Sequence, residues 1–137
     1  MKSLFSKFNY TFLTPSVFAL FLLLGACKKT ETVAPSTTGG IAVKFEVRFS
    51  NGTVLPLSEL SNWNINVEIY AGTTSNPIKT QKATSSSGVT FTGLAPNTYD
   101  VECDGVVTYR GQVLTASGSS GVQVLAGNTA TTTVNLQ

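Results

Sequence analysis

Apolar and polar side chains alternate without a break over residues 41–49: Ile41, Val43, Phe45, Val47 and Phe49 against Ala42, Lys44, Glu46 and Arg48. A repeat of two marks a strand with one buried face, because successive strand side chains point to opposite sides; a helix would repeat near 3.6. Ser50-Asn51-Gly52 supplies turn residues that end this strand. The pattern returns with Trp63, Ile65, Val67 and Ile69 set against Asn64, Asn66, Glu68 and Tyr70, which assigns Trp63 to the core and Tyr70 to a solvent face. Shorter strand signals lie at 78–83, 89–92, 99–103, 106–115 and 130–136, while 55–60 has room for one short helical turn. Gly, Ser, Thr, Asn and Pro clusters separate them. These features predict an all-β fold: a single antiparallel Greek-key β-sandwich of about seven strands.

The chain before residue 41 has another character. Lys2 and Lys7 precede an almost wholly apolar stretch at 12–26, interrupted only by Thr14, Pro15, Ser16 and Gly25. A bilayer span takes about 20 apolar residues, so this run fits a signal peptide better than a membrane helix. It ends on Leu24-Gly25-Ala26-Cys27, which resembles the bacterial lipobox. The resemblance implies cleavage between Ala26 and Cys27, a diacylglyceryl group on the Cys27 thiol, and acylation of the new amino terminus with chains such as palmitate. Each buried CH₂ is worth about 0.8 kcal/mol, so two or three chains anchor a protein durably and make the membrane its first partner. The competing reading is an ordinary secretory signal beside which Cys27 is incidental.

Three segments follow: 1–26, a signal peptide that is removed; 27–40, a lipidated N-terminus and flexible tether; and 41–137, the sandwich. Thr, Ser, Pro and Gly dominate 30–40, and a coil over 28–40 reaches about 20 Å. Under the lipoprotein sorting rule, an aspartate after the cysteine retains the protein at the inner membrane. Lys28 is not that signal, so the resemblance implies the outer membrane of a bacterial envelope. It leaves both the cell surface and the periplasmic face open.

Composition excludes several function classes. Of nine basic side chains, Lys2 and Lys7 leave with the signal peptide, so seven remain against seven acids. A near-neutral domain without a basic stripe is a poor partner for nucleic acid. The chain has no histidine, and so lacks the usual general base and zinc ligand. No phosphate cradle or nucleophile elbow appears, and no catalytic residue, cofactor or metal ligand is assigned: the chain reads as noncatalytic. Cys103 has no partner once Cys27 is lipidated, and reads as a small buried apolar residue.

The stretch Gly88-Val89-Thr90-Phe91-Thr92-Gly93-Leu94-Ala95-Pro96-Asn97-Thr98-Tyr99-Asp100-Val101 resembles a hairpin of transthyretin-like sandwiches, including carboxypeptidase regulatory-like and Cna B-type domains. Gly127-Asn128-Thr129, leading into a Thr/Val strand, is similar to their closing strand. The resemblance implies that Phe91, Tyr99 and Val101 point inward from paired strands, with Pro96-Asn97 as the turn. Asn97 stands where the family usually has Gly, as the non-glycine residue that best tolerates a positive φ. Cna B-type domains often carry an isopeptide bond between a first-strand lysine and a last-strand asparagine, here Lys44 and Asn135. Lys44 lies on the polar phase, and Cys103 stands where the assisting acid belongs, so both read as surface residues.

Asp100, Glu102 and Asp104 precede Gly105 as the first ligands of a calcium loop would, but Gly111 occupies the place of the closing bidentate acid. They read as a solvated strand face, with calcium binding left open. Two functional readings stand. In one, the domain is an accessory module binding glycan, peptide or a partner protein through loops, an open sheet edge, or tyrosines such as Tyr70 and Tyr109. In the other, it is a structural or assembly subunit of the envelope or of an adhesin-like surface fibre, with strand 129–137 docking onto a neighbour. The oligomeric state stays open.

Overall fold

The computed structural model describes residues 34–137. The signal segment 1–26, the cleavage and lipidation residues Ala26 and Cys27, and residues 28–33 lie outside the described residues. Seven strands form: β1 (Gly39–Val47), β2 (Leu60–Ala71), β3 (Lys79–Ala83), β4 (Val89–Leu94), β5 (Asn97–Tyr109), β6 (Gln112–Val124) and β7 (Thr129–Leu136), with one 3-10 turn at Leu57–Glu59. They make two sheets, one of three strands in the order β4-β1-β7 and one of four in the order β3-β2-β5-β6. The fold is an all-β sandwich, as the alternation predicts.

The buried phases of the two sheets meet in one core. Ile41, Val43, Phe45 and Val47 of β1 face Ile65, Val67 and Ile69 of β2 and Val101, Cys103 and Val107 of β5. Trp63 is 7% exposed and stacks on Phe45 with ring centroids 5.7 Å apart. Burying a side chain of this size stabilises the fold by about 1.5–3 kcal/mol.

One pairing departs from the antiparallel expectation: β1 runs parallel to β7, from Gly40 opposite Thr129 to Val47 opposite Leu136. The cause lies in the connections. Strand β1 starts, and β6 finishes, at the end where the tether enters, so the four-residue link 125–128 starts β7 there in the direction of β1.

The expected hairpin over 88–101 also differs. Phe91, Tyr99 and Val101 do point inward. However, β4 pairs with β1, and β5 pairs with β2 and β6, so Ala95-Pro96 is a crossing between sheets and not a hairpin turn. Gly93 (φ 68°) sits at a bulge opposite the Gly39–Gly40 step of β1, and the Tyr99 hydroxyl donates to the Ala95 carbonyl at 2.7 Å, clamping the crossing. Asn97 does not take a positive φ; its Oδ1 instead accepts from the Thr98 N–H at 2.8 Å.

The expected break between 99–103 and 106–115 does not exist either. Strand β5 runs through Gly105, where a Cβ would meet the Asn64 carbonyl at 2.1 Å, so this glycine serves a close approach of β2. The turn falls at Arg110-Gly111, whose φ of 48° and 83° suit a two-residue hairpin closing between Tyr109 and Gln112. Beyond it β6 continues to Val124 through a Ser/Gly run. Strand β1 begins at Gly39, so the last two residues of the expected tether belong to the sandwich, and Phe49 lies beyond its strand.

Candidate functional site

The outer face of the four-stranded sheet is a polar grid set by register. Across the strands from β3 to β6, one row reads Lys82, Asn66, Asp104, Ser117; the next reads Thr80, Glu68, Glu102, Ser119; a third reads Tyr70, Asp100, Gly121 from β2 to β6. Neighbouring strands lie about 4.8 Å apart, so the grid is a continuous polar face with the usual twist of a sheet. It forms because each of these residues occupies the phase opposite a buried neighbour: Val67 and Ile69 on β2, Val101 and Cys103 on β5.

Glu68 is the fixed point of the grid. Its carboxylate accepts from Asn66 Nδ2 at 2.9 Å and from the Tyr70 hydroxyl at 2.5 Å. The bond to Glu68, with lesser contributions from burial and from the Glu68, Glu102 and Asp104 charges, pushes the Tyr70 hydroxyl up to about 12. Tyr70 therefore stays a protonated phenol, half-buried beside a carboxylate. Gly121 places no side chain over Asp100, whose Oδ1 would lie 3.7 Å from a Cβ there. Glu68 and Glu102 stand directly opposite each other, an arrangement that costs stability in a sheet.

Asp100, Glu102 and Asp104 are exposed and share this face. Alternate residues of one strand lie about 7 Å apart, too far for three carboxylates to converge on one cation at calcium distances. Among the described residues no group of three acidic or thiol side chains is placed to hold a metal ion. The Cys103 side chain lies on the opposite, inner side, where burial, aided by the Asp104 charge, pushes its thiol up to about 12. Lys44 and Asn135 are both exposed on the outer face of the other sheet.

Tyr109 belongs to the end of the sandwich remote from the tether. It is half-buried, edge-on to Phe49 at 5.7 Å, with the Arg110 guanidinium 5.0 Å above its ring. Arg110 Nε also donates to Glu59 Oε2 at 2.7 Å. These contacts close the top of the core and occupy the Tyr109 face, whereas Tyr70 lies half-buried on the polar grid.

The two sides of the sandwich differ. On one, β6 and β7 close together: the Ser117 N–H donates to the Gln137 carbonyl at 3.1 Å, the Gln137 N–H to the Ser117 carbonyl at 3.0 Å, and the Ser120 and Thr132 hydroxyls bond at 2.7 Å. A Cβ on Gly118 would meet the Asn135 carbonyl at 2.1 Å. Strand β7 is thus the edge of its three-stranded sheet, paired along one side with β1 and tied to β6 at its C-terminal end through Gln137. On the other side, β3 and β4 bound a shallow groove of about 320 Å³ lined by Lys79, Thr80, Gln81, Thr90, Phe91 and Thr92.

The tether enters at the end carrying 125–128, where the Gly127 N–H donates to the Thr38 carbonyl and the Gly40 N–H to the Asn128 carbonyl, both at 2.9 Å. Alternation singles out Tyr70 and the three β5 acids. Their union with Glu68, Asn66 and the β6 serines depends on register, which a single strand does not carry. No family model, no curated protein and no solved structure matches the chain.

Proposed function

We propose that the chain is a lipoprotein of the bacterial envelope, held through Cys27, whose transthyretin-like sandwich is a noncatalytic glycan-binding module. Its recognition surface is the outer face of the four-stranded sheet. The observation that carries this reading is the grid itself: opposed Glu68 and Glu102, flanked by Asp100 and Asp104, keep a costly arrangement beside Tyr70. Sugar hydroxyls donate to carboxylates, and the C–H face of a sugar ring packs on an aromatic side chain, so the grid offers both halves of the needed chemistry. Ser117 and Ser119 add hydroxyls at the far column, and Gly121 keeps the approach to Asp100 free.

The lipobox Leu24-Gly25-Ala26-Cys27 supports the anchor, and Lys28 favours the outer membrane. Two measurements test the parts separately. Labelling with a palmitate analogue is expected in the native chain and lost in Cys27→Ala, with precursor accumulating; normal processing of that variant would falsify the anchor. Binding to an array of envelope and host polysaccharides is expected to weaken by about tenfold in Tyr70→Ala, the loss expected from one aromatic contact. Unchanged binding by Tyr70→Ala and Glu102→Gln would move the glycan site off this face.

A further inference from the structure

We propose that the open side between β3 and β4 takes an extended, acidic segment of a partner protein as an added strand on β4. In a strand, the N–H and C=O of one residue point to the same side. Thr92 turns its carbonyl toward β3, where Lys79 Nζ donates to it, so the Thr92 N–H and both groups of Thr90 also point into the groove. Among the described residues, strand β4 pairs only with β1. On the opposite side of the sandwich β6 approaches β7 closely, with Ser117 bonded to Gln137 and Ser120 to Thr132, which leaves less room for an added strand.

Charge selects the occupant. Lys79 and Lys82 are exposed on β3, and neither has an ion-pair partner among the described residues, where both ion pairs belong to arginines. Lysines on an edge turn away neutral and basic strands and discourage pairing of two copies. A strand carrying carboxylates meets no such barrier: Lys79 swings from the Thr92 carbonyl to a carboxylate, and the freed carbonyl joins the ladder. Main-chain bonds then supply affinity and the lysines supply selection, the division of labour seen when peptides extend a sheet. The groove shares the β3 column of the grid, Thr80 and Lys82, but not Glu68, Glu102 or Tyr70, and the proposal does not depend on the glycan reading.

The test uses the full chain purified in detergent, titrated calorimetrically with a short alternating Thr-Glu peptide. A Thr-Lys peptide and a Thr-Glu peptide N-methylated at alternate residues serve as comparators. Saturable binding of the Thr-Glu peptide is expected, weaker by about tenfold on N-methylation and again in Lys79→Glu/Lys82→Glu, a loss of the size set by one strong contact. The amide protons of Thr90 and Thr92 should gain exchange protection. The double variant should regain binding to the Thr-Lys peptide, which shows that it is folded. Absence of binding, equal binding of the Thr-Lys peptide by the native chain, or indifference to N-methylation would each overturn the proposal. So would a Thr-Glu footprint on other strands, or a dimer of the free chain that buries Thr90.

Discussion

The β6/β7 side and the β3/β4 side of this sandwich solve one problem in opposite ways. Each must dispose of the unpaired edge left where two sheets end. The first does so with small residues: Gly118, Ser117 and Ser120 let the backbones approach until Gln137 pairs with Ser117 and Thr132 with Ser120. The second keeps the sheets apart and sets lysines at the rim. Small side chains close a seam by contact, whereas long charged ones leave it open and police it. A run of Ser and Gly thus does structural work on one side, while the solvated residues of the other leave backbone available.

The harshest way to break this contrast is Gly118→Val, which puts a side chain where the Asn135 carbonyl already stands. Destabilisation of about 3 kcal/mol or more is expected in denaturant unfolding, because backbone must move. Cys103, directly across from Gly118 in the ladder, reports the same event. Its buried, protonated thiol reacts with alkylating reagents only when the structure opens, so labelling should quicken by about a hundredfold in that variant.

A milder test is Tyr99→Phe, which unclamps the crossing at Ala95 and should cost about 1 kcal/mol. Thr132→Val removes the hydroxyl bond across the closed seam, at about 0.5–1 kcal/mol in the same assay. Lys79→Ala should change stability by no more than about 0.5 kcal/mol, since its group is exposed. Equal losses for Gly118→Val and Lys79→Ala would erase the distinction between the two sides.

Raising the pH offers an independent check. The thiol of Cys103 is held up from its ordinary 9.0 to about 12, so the folded state binds a proton that the unfolded chain releases first. Its contribution is present below pH 9 and is lost as pH climbs toward 12. Tyr70, raised from 10.0 to about 12, acts in the same direction over the upper part of that window. Cys103→Ala combined with Tyr70→Phe should flatten the alkaline fall in stability.

Strands with one apolar and one polar face declare themselves, and β1 and β2 are legible from alternation alone. Strand β6 is not, since a close approach of β7 demands Gly and Ser where a solvated strand would show larger residues. Asp104-Gly105 imitates a turn because a close approach, like a turn, calls for glycine, and Arg110-Gly111 hides one because arginine is an unusual first turn residue. Tyr70 and the acids of β5 are visible one strand at a time. Their assembly into a grid is set by ladder register between distant segments, and only the fold supplies it.

The place of β1 has a mechanical meaning. It lies between β4 and β7 with residues 34–38 leading directly into its first residue, so a pull on that segment acts along the strand's own axis. Its ladder bonds run mainly across that axis, and load in this geometry falls on many of them together, as in shear, and not on one after another, as in a zip fastener. Pulled between residue 38 and the Gln137 end in a single-molecule experiment, the domain should therefore yield at higher force than when pulled across the β5/β6 hairpin.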